Sequence, residues 1–269
     1  MHPGLQVRFI RLVRQCCLIF AAAIFFLTAC IPQPEPQPTP TTTPVFPTAT
    51  LTPTIIWFPP TATFTPYPTL ELLPTEDWRP GVGELLYQDD FSDSAAWSLS
   101  TGPAGSVALG LNELTIAIGA EHTYLYSLRQ DWLLSDYYLE LTASPSMCRD
   151  FDEYGLLLRV SSELDFYRFS LSCNGQVRLD RIIDAAASSP QPWMLSGAVP
   201  PGAPSTVRLG VWALGSELRF FVNDRYQFTV HDPMLVSGGV GVFARSTDDW
   251  PVTVNFSDLV VYSLNPTGE

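Results

Sequence analysis

The chain has 269 residues, 46% of them hydrophobic, and a formal net charge of −13 from 27 acids against 14 bases. All 14 bases are arginine, so lysine chemistry such as Schiff-base formation and P-loop phosphate binding is excluded. A surface this acidic repels phosphate backbones and argues against nucleic acid as a partner.

The first 30 residues place Arg8, Arg11 and Arg14 before an apolar run from Cys16 to Leu27, followed by Leu27-Thr28-Ala29-Cys30. This is the layout of a secretory signal peptide. The apolar run has 12 residues, whereas crossing the hydrocarbon of a bilayer takes about 20. Leu-Thr-Ala-Cys resembles the lipobox of bacterial lipoproteins. The resemblance implies removal of residues 1–29 and a lipidated Cys30 anchoring the chain outside the cytoplasm, displayed at the surface of a bacterial membrane. The alternative is an ordinary signal peptide or an uncleaved anchor with an incidental cysteine. Loss of the three arginines would move the net charge from −13 to −16.

Residues 30–78 read as a stalk. Positions 31–75 hold 13 Pro and 13 Thr, with Glu35 and Glu71 the charged residues. Proline lacks the N–H donor and restricts its neighbour, so neither helix nor sheet ladder is expected. In polyproline form about 45 residues reach on the order of 100 Å, enough to cross a wall layer. The threonines are candidate O-glycan sites. Ile55, Ile56, Trp57, Phe58 and Phe64 are apolar for such a tract and read as drift or as contacts with the envelope.

From residue 79 to 269 the pattern is period-two alternation with turn residues every 8 to 12 positions, the mark of an all-β, antiparallel two-sheet sandwich. The predicted strands are 83–91, 113–119, 137–144, 154–160, 166–172, 176–182, 206–213, 217–223, 225–230, 238–244 and 254–263. With Phe169, Leu171, Val177 and Leu179 inward, a three-residue turn is expected at Asn174-Gly175-Gln176. With Leu218, Phe220, Val222, Tyr226 and Phe228 inward, another is expected at Asn223-Asp224-Arg225. Once Cys16 and Cys17 are removed and Cys30 is lipidated, Cys148 and Cys173 remain. They fall at the same end of the 154–172 hairpin, which suits one disulfide.

The stretches "LLYQDDFSDSAAW", "EYGLLLRVSSELDFYRFSLSCNGQVRLDR", "LRFFVNDRYQF" and "VNFSDLVVY" resemble, in that order, the concanavalin A-like, laminin-G-like jelly-roll domains. They are most similar to the family named for 3-keto-disaccharide hydrolases. The resemblance implies a jelly roll and, from the family name, glycoside processing. Its motifs are structural, and one sandwich hosts lectins, glycosidases and adhesion modules alike.

Glu163-Leu164-Asp165 begins like the carboxylate strand of β-glucanases that share this fold. The acid/base position falls on Arg168, however, and both acids sit in a hairpin loop, so no catalytic residue is assigned. Asp150, Asp152 and Glu153 read as a solvated loop, and His122 and His231 as ordinary strand residues. Asp89, Asp90 and Asp93 on the first strand, with Asp258 on the last, offer hard oxygen ligands for a structural calcium ion if the termini pair; the alternative is turn and edge contacts. Pointing out of the core are Arg208, Trp212, Glu217, Arg219 and Phe221, and on the other hairpin Arg168, Ser170, Ser172, Arg178 and Asp180. On one concave sheet, closed at one end by Trp193, these would stack on sugar rings and grip hydroxyls. The alternative has Trp212 and Phe221 under a loop and the arginines paired with the protein's own carboxylates. The leading expectation is a non-catalytic surface module that binds a glycan or another envelope polymer. A glycoside-processing enzyme and a protein-binding adhesion or structural module are the other two.

Overall fold

A computed structural model describes residues 76–265. The chain divides into units 1–69 and 70–269; the signal peptide, Cys30 and stalk positions up to 75 lie outside the described residues. In chain order the strands are β1 (Val82–Asp89), β2 (Ser100–Gly102), β3 (Gly105–Gly110), β4 (Glu113–Ile118), β5 (Tyr124–Leu128), β6 (Tyr137–Met147), β7 (Glu153–Ser162) and β8 (Asp165–Ser172). They continue as β9 (Gln176–Ile183), β10 (Ala186–Leu195), β11 (Val207–Leu214), β12 (Glu217–Val222), β13 (Arg225–His231), β14 (Gly239–Arg245) and β15 (Val252–Leu264).

Two antiparallel sheets face each other. The nine-stranded sheet runs β13-β12-β11-β6-β15-β4-β3-β2, with β1 also on β15, and the six-stranded sheet runs β10-β9-β8-β7-β14-β5. At 13 residues, β15 is long enough to pair with β4 along its first half and β1 along its second, with β6 on its other side. The first and last strands therefore pair, and the chain enters and leaves at one end of the sandwich. Alternate residues from both sheets build the core, among them Leu139, Leu141, Val211 and Phe220 from one sheet and Leu156, Phe169, Leu179 and Val242 from the other. Burial of each such side chain contributes roughly 1.5–3 kcal/mol relative to leaving it in water.

All eleven strands expected from alternation are present. Four more carry weak sequence signals. β10 contains Pro190 and Pro192, and its register with β9 shifts between Ser188 and Gln191 and again between Gln191 and Met194. It survives because it is an edge strand, where missing donors face away from the ladder. β2, β3 and β5 are short, with three, six and five residues.

The two hairpin turns differ instructively from expectation. Phe169, Leu171, Val177 and Leu179 do face the core, but Ser172 pairs with Gln176, so the three turn residues are Cys173, Asn174 and Gly175. At the second turn Val222 pairs with Arg225, leaving two residues, Asn223 and Asp224, both at positive φ. Such a two-residue turn matches the twist of its strands. A bulge between Phe220 and Phe221 then shifts the register and sends Tyr226, expected inward, to the outer face. Cys148 and Cys173 form the disulfide, Cα atoms 5.9 Å apart. It joins the ends of β6 and β8, hence the two sheets, at the end away from the termini.

Candidate functional site

The two groups of outward residues lie on different sheets. Arg208, Trp212, Glu217, Arg219 and Phe221 belong to β11 and β12 of the nine-stranded sheet. Arg168, Arg178 and Asp180 belong to β8 and β9 of the six-stranded sheet, with Trp193 on β10. They are on opposite outer faces and form no common surface.

The nine-stranded face is closed by the chain itself. Residues 76–80 cross it as a strap. Trp78 stacks on Tyr226 with ring centroids 4.0 Å apart, and Trp212 Nε1 donates to the Pro80 carbonyl at 3.0 Å. Arg219 donates to the Trp78 carbonyl at 3.1 Å, pairs with Glu217 at 2.8 Å and lies 4.4 Å over the Trp212 ring. Arg79 sits over the rings of Tyr138 and Phe221, donates to Tyr138 Oη at 3.0 Å and reaches Asp224 at 3.3 Å. Trp212 and Phe221 are thus buried, and Arg208 is shared between Glu140 and Asp224. Aromatic residues on an outward strand face suggested a ligand platform; the ligand-like partner is the strap.

The six-stranded face carries its own packed side chains, with Ser170, Phe243 and Leu157 buried and the arginines only partly exposed. Cross-strand register places Arg178 beside Ser170 and Ser170 beside Gly155, with Phe243 on the far side of Gly155. Gly155 leaves the space that the Phe243 ring uses; a Cβ there would run into the Phe169 carbonyl. The next row runs from Asp180 to Arg168 and Leu157. Ion pairs cross these rows: Arg168 to Asp180 at 2.7 Å, Arg178 to Asp180 and to Glu153 at 3.0 Å each, and Arg245 to Glu153 at 3.3 Å. Ser189 Oγ donates to the second oxygen of Asp180 at 2.6 Å. Trp193 covers Arg178, with Cζ 4.4 Å from its ring. Burial opposes the charge of Arg168, but the hydrogen bond it donates to Asp180 together with the charges of Asp180, Tyr124 and Glu153 outweighs it, so the guanidinium pKa is raised.

Toward β5 the face becomes apolar. A small hollow of about 40 Å³ is lined by Tyr124, Tyr126, Leu128, Leu157, Val160, Phe166 and Glu163. Two adjoining hollows also include Leu128 and Glu163 among their walls, so Glu163 stands where three depressions meet. Burial, then the Glu163 carboxylate, push the Tyr126 phenol above its usual range. Glu163 does lie in the hairpin loop between β7 and β8, as expected. The sequence reading left this groove unassigned because β5 was not recognised; the alternation Tyr124, Tyr126, Leu128 was the available signal.

The four candidate calcium ligands are engaged elsewhere. β1 and β15 do pair, with Asp89 opposite Leu259. Asp89, however, is buried against Arg129, the Phe91 amide and the Trp97 indole. Asp90 accepts from Ser92, Asp93 caps the short 3-10 turn Ser94–Ala96, and Asp258 accepts from Ser257. Among the described residues no group of three or more His, Cys, Asp or Glu is placed to hold a metal. Of the loop acids, Asp152 is buried and accepts from the Thr247 and Arg149 amides, while Glu153 belongs to the ion network. His122 lies in a turn at positive φ, and His231 ends β13.

The class this geometry defines is a two-sheet antiparallel β-sandwich of the jelly-roll kind. No family model matches the chain, and no curated protein is similar to it. Solved structures are. A carbohydrate-binding module, CBM66 of Bacillus subtilis, matches at 16% identity with a TM-score of 0.51, covering 62% of this chain and 96% of its own. A Bacillus subtilis protein of unknown function with a galectin-like fold matches at 12% identity and TM-score 0.52, over 68% and 97%. A structure described with endo-acting O-glycanases of the human gut microbiota matches at 11% identity and TM-score 0.52, over 68% and 100%. At these identities the likeness is one of fold.

Proposed function

We propose that this protein is a lipid-anchored surface module that binds carbohydrate on the outward face of the six-stranded sheet. One observation carries the choice of face. Six buried side-chain polar atoms lack a partner among the described residues, and four of them lie here: Tyr124 Oη, Arg168 Nε, Ser170 Oγ and Arg178 Nε. Buried polar groups are paired almost everywhere in proteins, so a cluster of unpaired ones marks a place that water or a ligand completes. Beside it, the half-buried Tyr126 and Trp193 supply the ring planes that sugars stack on. The solved carbohydrate-binding module of this fold supports the same reading. The signal-peptide layout and the Leu-Thr-Ala-Cys motif support anchoring at Cys30, with the Pro/Thr-rich stretch as a spacer.

Glycoside processing is the second reading. Glu163 and Asp131 line one hollow of about 330 Å³, and two carboxylates across a groove are what such chemistry uses. One experiment separates the readings: calorimetric titration of the full chain in neutral detergent against a panel of soluble polysaccharides, with a parallel assay of reducing ends. Saturable binding without new reducing ends, weakened about tenfold in Trp193→Ala or Tyr126→Ala, is the expected result. Reducing ends that appear with the wild type and vanish in Glu163→Gln would replace binding with catalysis.

A further inference from the structure

The proposed binding face is layered by charge, and the layering names the class of glycan; this inference rests on the reading of that face as the binding surface. Glu153 and Asp180 lie at the bottom, their side chains 5% and 3% exposed. Arg168, Arg178 and Arg245 lie above them, 15%, 17% and 42% exposed. Three guanidinium groups over two carboxylates leave a surplus of one positive charge, in a chain whose formal charge is −13. The third acid of the face, Glu163, stands beside Tyr126 toward the β5 edge.

Glu153 also fixes how the positive groups are presented. Its two oxygens take one arginine each, Oε2 from Arg178 at 3.0 Å and Oε1 from Arg245 at 3.3 Å. One buried carboxylate thereby holds two guanidinium groups side by side, and of the two Arg245, 42% exposed, is the one more open to solvent. Guanidinium donates and never accepts, so such a pair discriminates in favour of an anionic acceptor over a neutral hydroxyl. Its planar fork fits a carboxylate. Because Glu153 has already ordered both side chains, an incoming anion does not have to.

We infer that the six-stranded face takes an acidic glycan, one whose sugars carry carboxylate groups, with a carboxylate seated between Arg178 and Arg245 and the sugar ring alongside Trp193.

The test uses two forms of one polymer. The full chain in neutral detergent is titrated with polygalacturonate and with the same polymer fully methyl-esterified, which keeps the backbone and removes the charge. The neutral polysaccharide panel runs alongside. Polygalacturonate is expected to bind at least tenfold more tightly than its ester and than any neutral polymer. Arg245→Gln should abolish most of that preference while leaving the melting temperature within a few degrees, since Arg245 is the most exposed of the three arginines. Arg178→Gln should also weaken binding, but it uncovers Glu153 and so needs the Arg245 variant beside it. Equal binding of acid and ester, or a neutral polymer that binds as tightly, would overturn the acidic class and leave the carbohydrate reading intact. A preference that persists in Arg245→Gln would overturn the assigned seat. Binding by none of the polymers would overturn both the inference and the reading it rests on.

Discussion

At the scale of single residues, the outer face of the six-stranded sheet depends on a position with no side chain. Gly155 lies between Ser170 and Phe243 in one row, and a Cβ there would meet the Phe169 carbonyl of the neighbouring strand. Backbone cannot yield as a side chain can, so Gly155→Ala should push β7 away from β8. The expected loss is about 2 kcal/mol or more of stability, read as a lower urea midpoint at unchanged slope. The same variant should tilt Phe243 and weaken polysaccharide binding, whereas Gly110→Ala, at the end of β3 with open space around it, should do neither. Residue by residue the sequence was legible where alternation speaks: the inward set of β8, β9 and β12 was named correctly. It was not legible at Tyr226, because a bulge changes face without changing composition.

At the scale of elements, the strap over the nine-stranded face contributes as a unit. Trp78 provides its ring, and the carbonyls of Trp78 and Pro80 provide acceptors for Arg219 and Trp212. Trp78→Ala should destabilise the domain by roughly 1–2 kcal/mol. It should also raise amide hydrogen exchange in residues 76–81 while β11 and β12 stay protected. Exchange rising instead across all three strands β11–β13 would mean that the strap holds the edge of the sheet together. No local pattern announces such a strap: Trp78 reads as the last residue of the stalk, and Arg79-Pro80 as the unpatterned start of the domain. Burial of Trp212 and Phe221 depends on a tertiary contact 132 residues apart in sequence, Trp212 to Pro80, which periodicity cannot see. For the same reason the assignment of β8–β9 and β11–β12 to different sheets was hidden. Both hairpins show the same alternation, and only the order of strands across the sheets separates them.

At the scale of the whole molecule, the sandwich is fastened at both ends by different chemistry. At the end away from the termini, Cys148–Cys173 links the two sheets across 25 residues of chain. Closing a loop of that length is worth about 3 kcal/mol in the unfolded-chain account. Reduction, or the Cys148→Ser/Cys173→Ser pair, should therefore lower the melting temperature by roughly 6–12 °C in a domain of this size, measured by calorimetry with and without reductant. A change below about 2 °C would show that packing alone holds that end. At the other end the chain enters beside its own exit, with Asn265 N bonded to the Gly81 carbonyl at 2.7 Å. β1 follows at once, and its ladder partner is β15, beginning at Val82 and Leu264. A force on the chain upstream of Glu76, applied straight to β1, would open that ladder one rung at a time, like a zipper. The strap meets the force first and passes it through Trp212, Arg219 and Tyr226 to β11, β12 and β13. Tension is thus shared among several strands before the vulnerable first rung carries any of it.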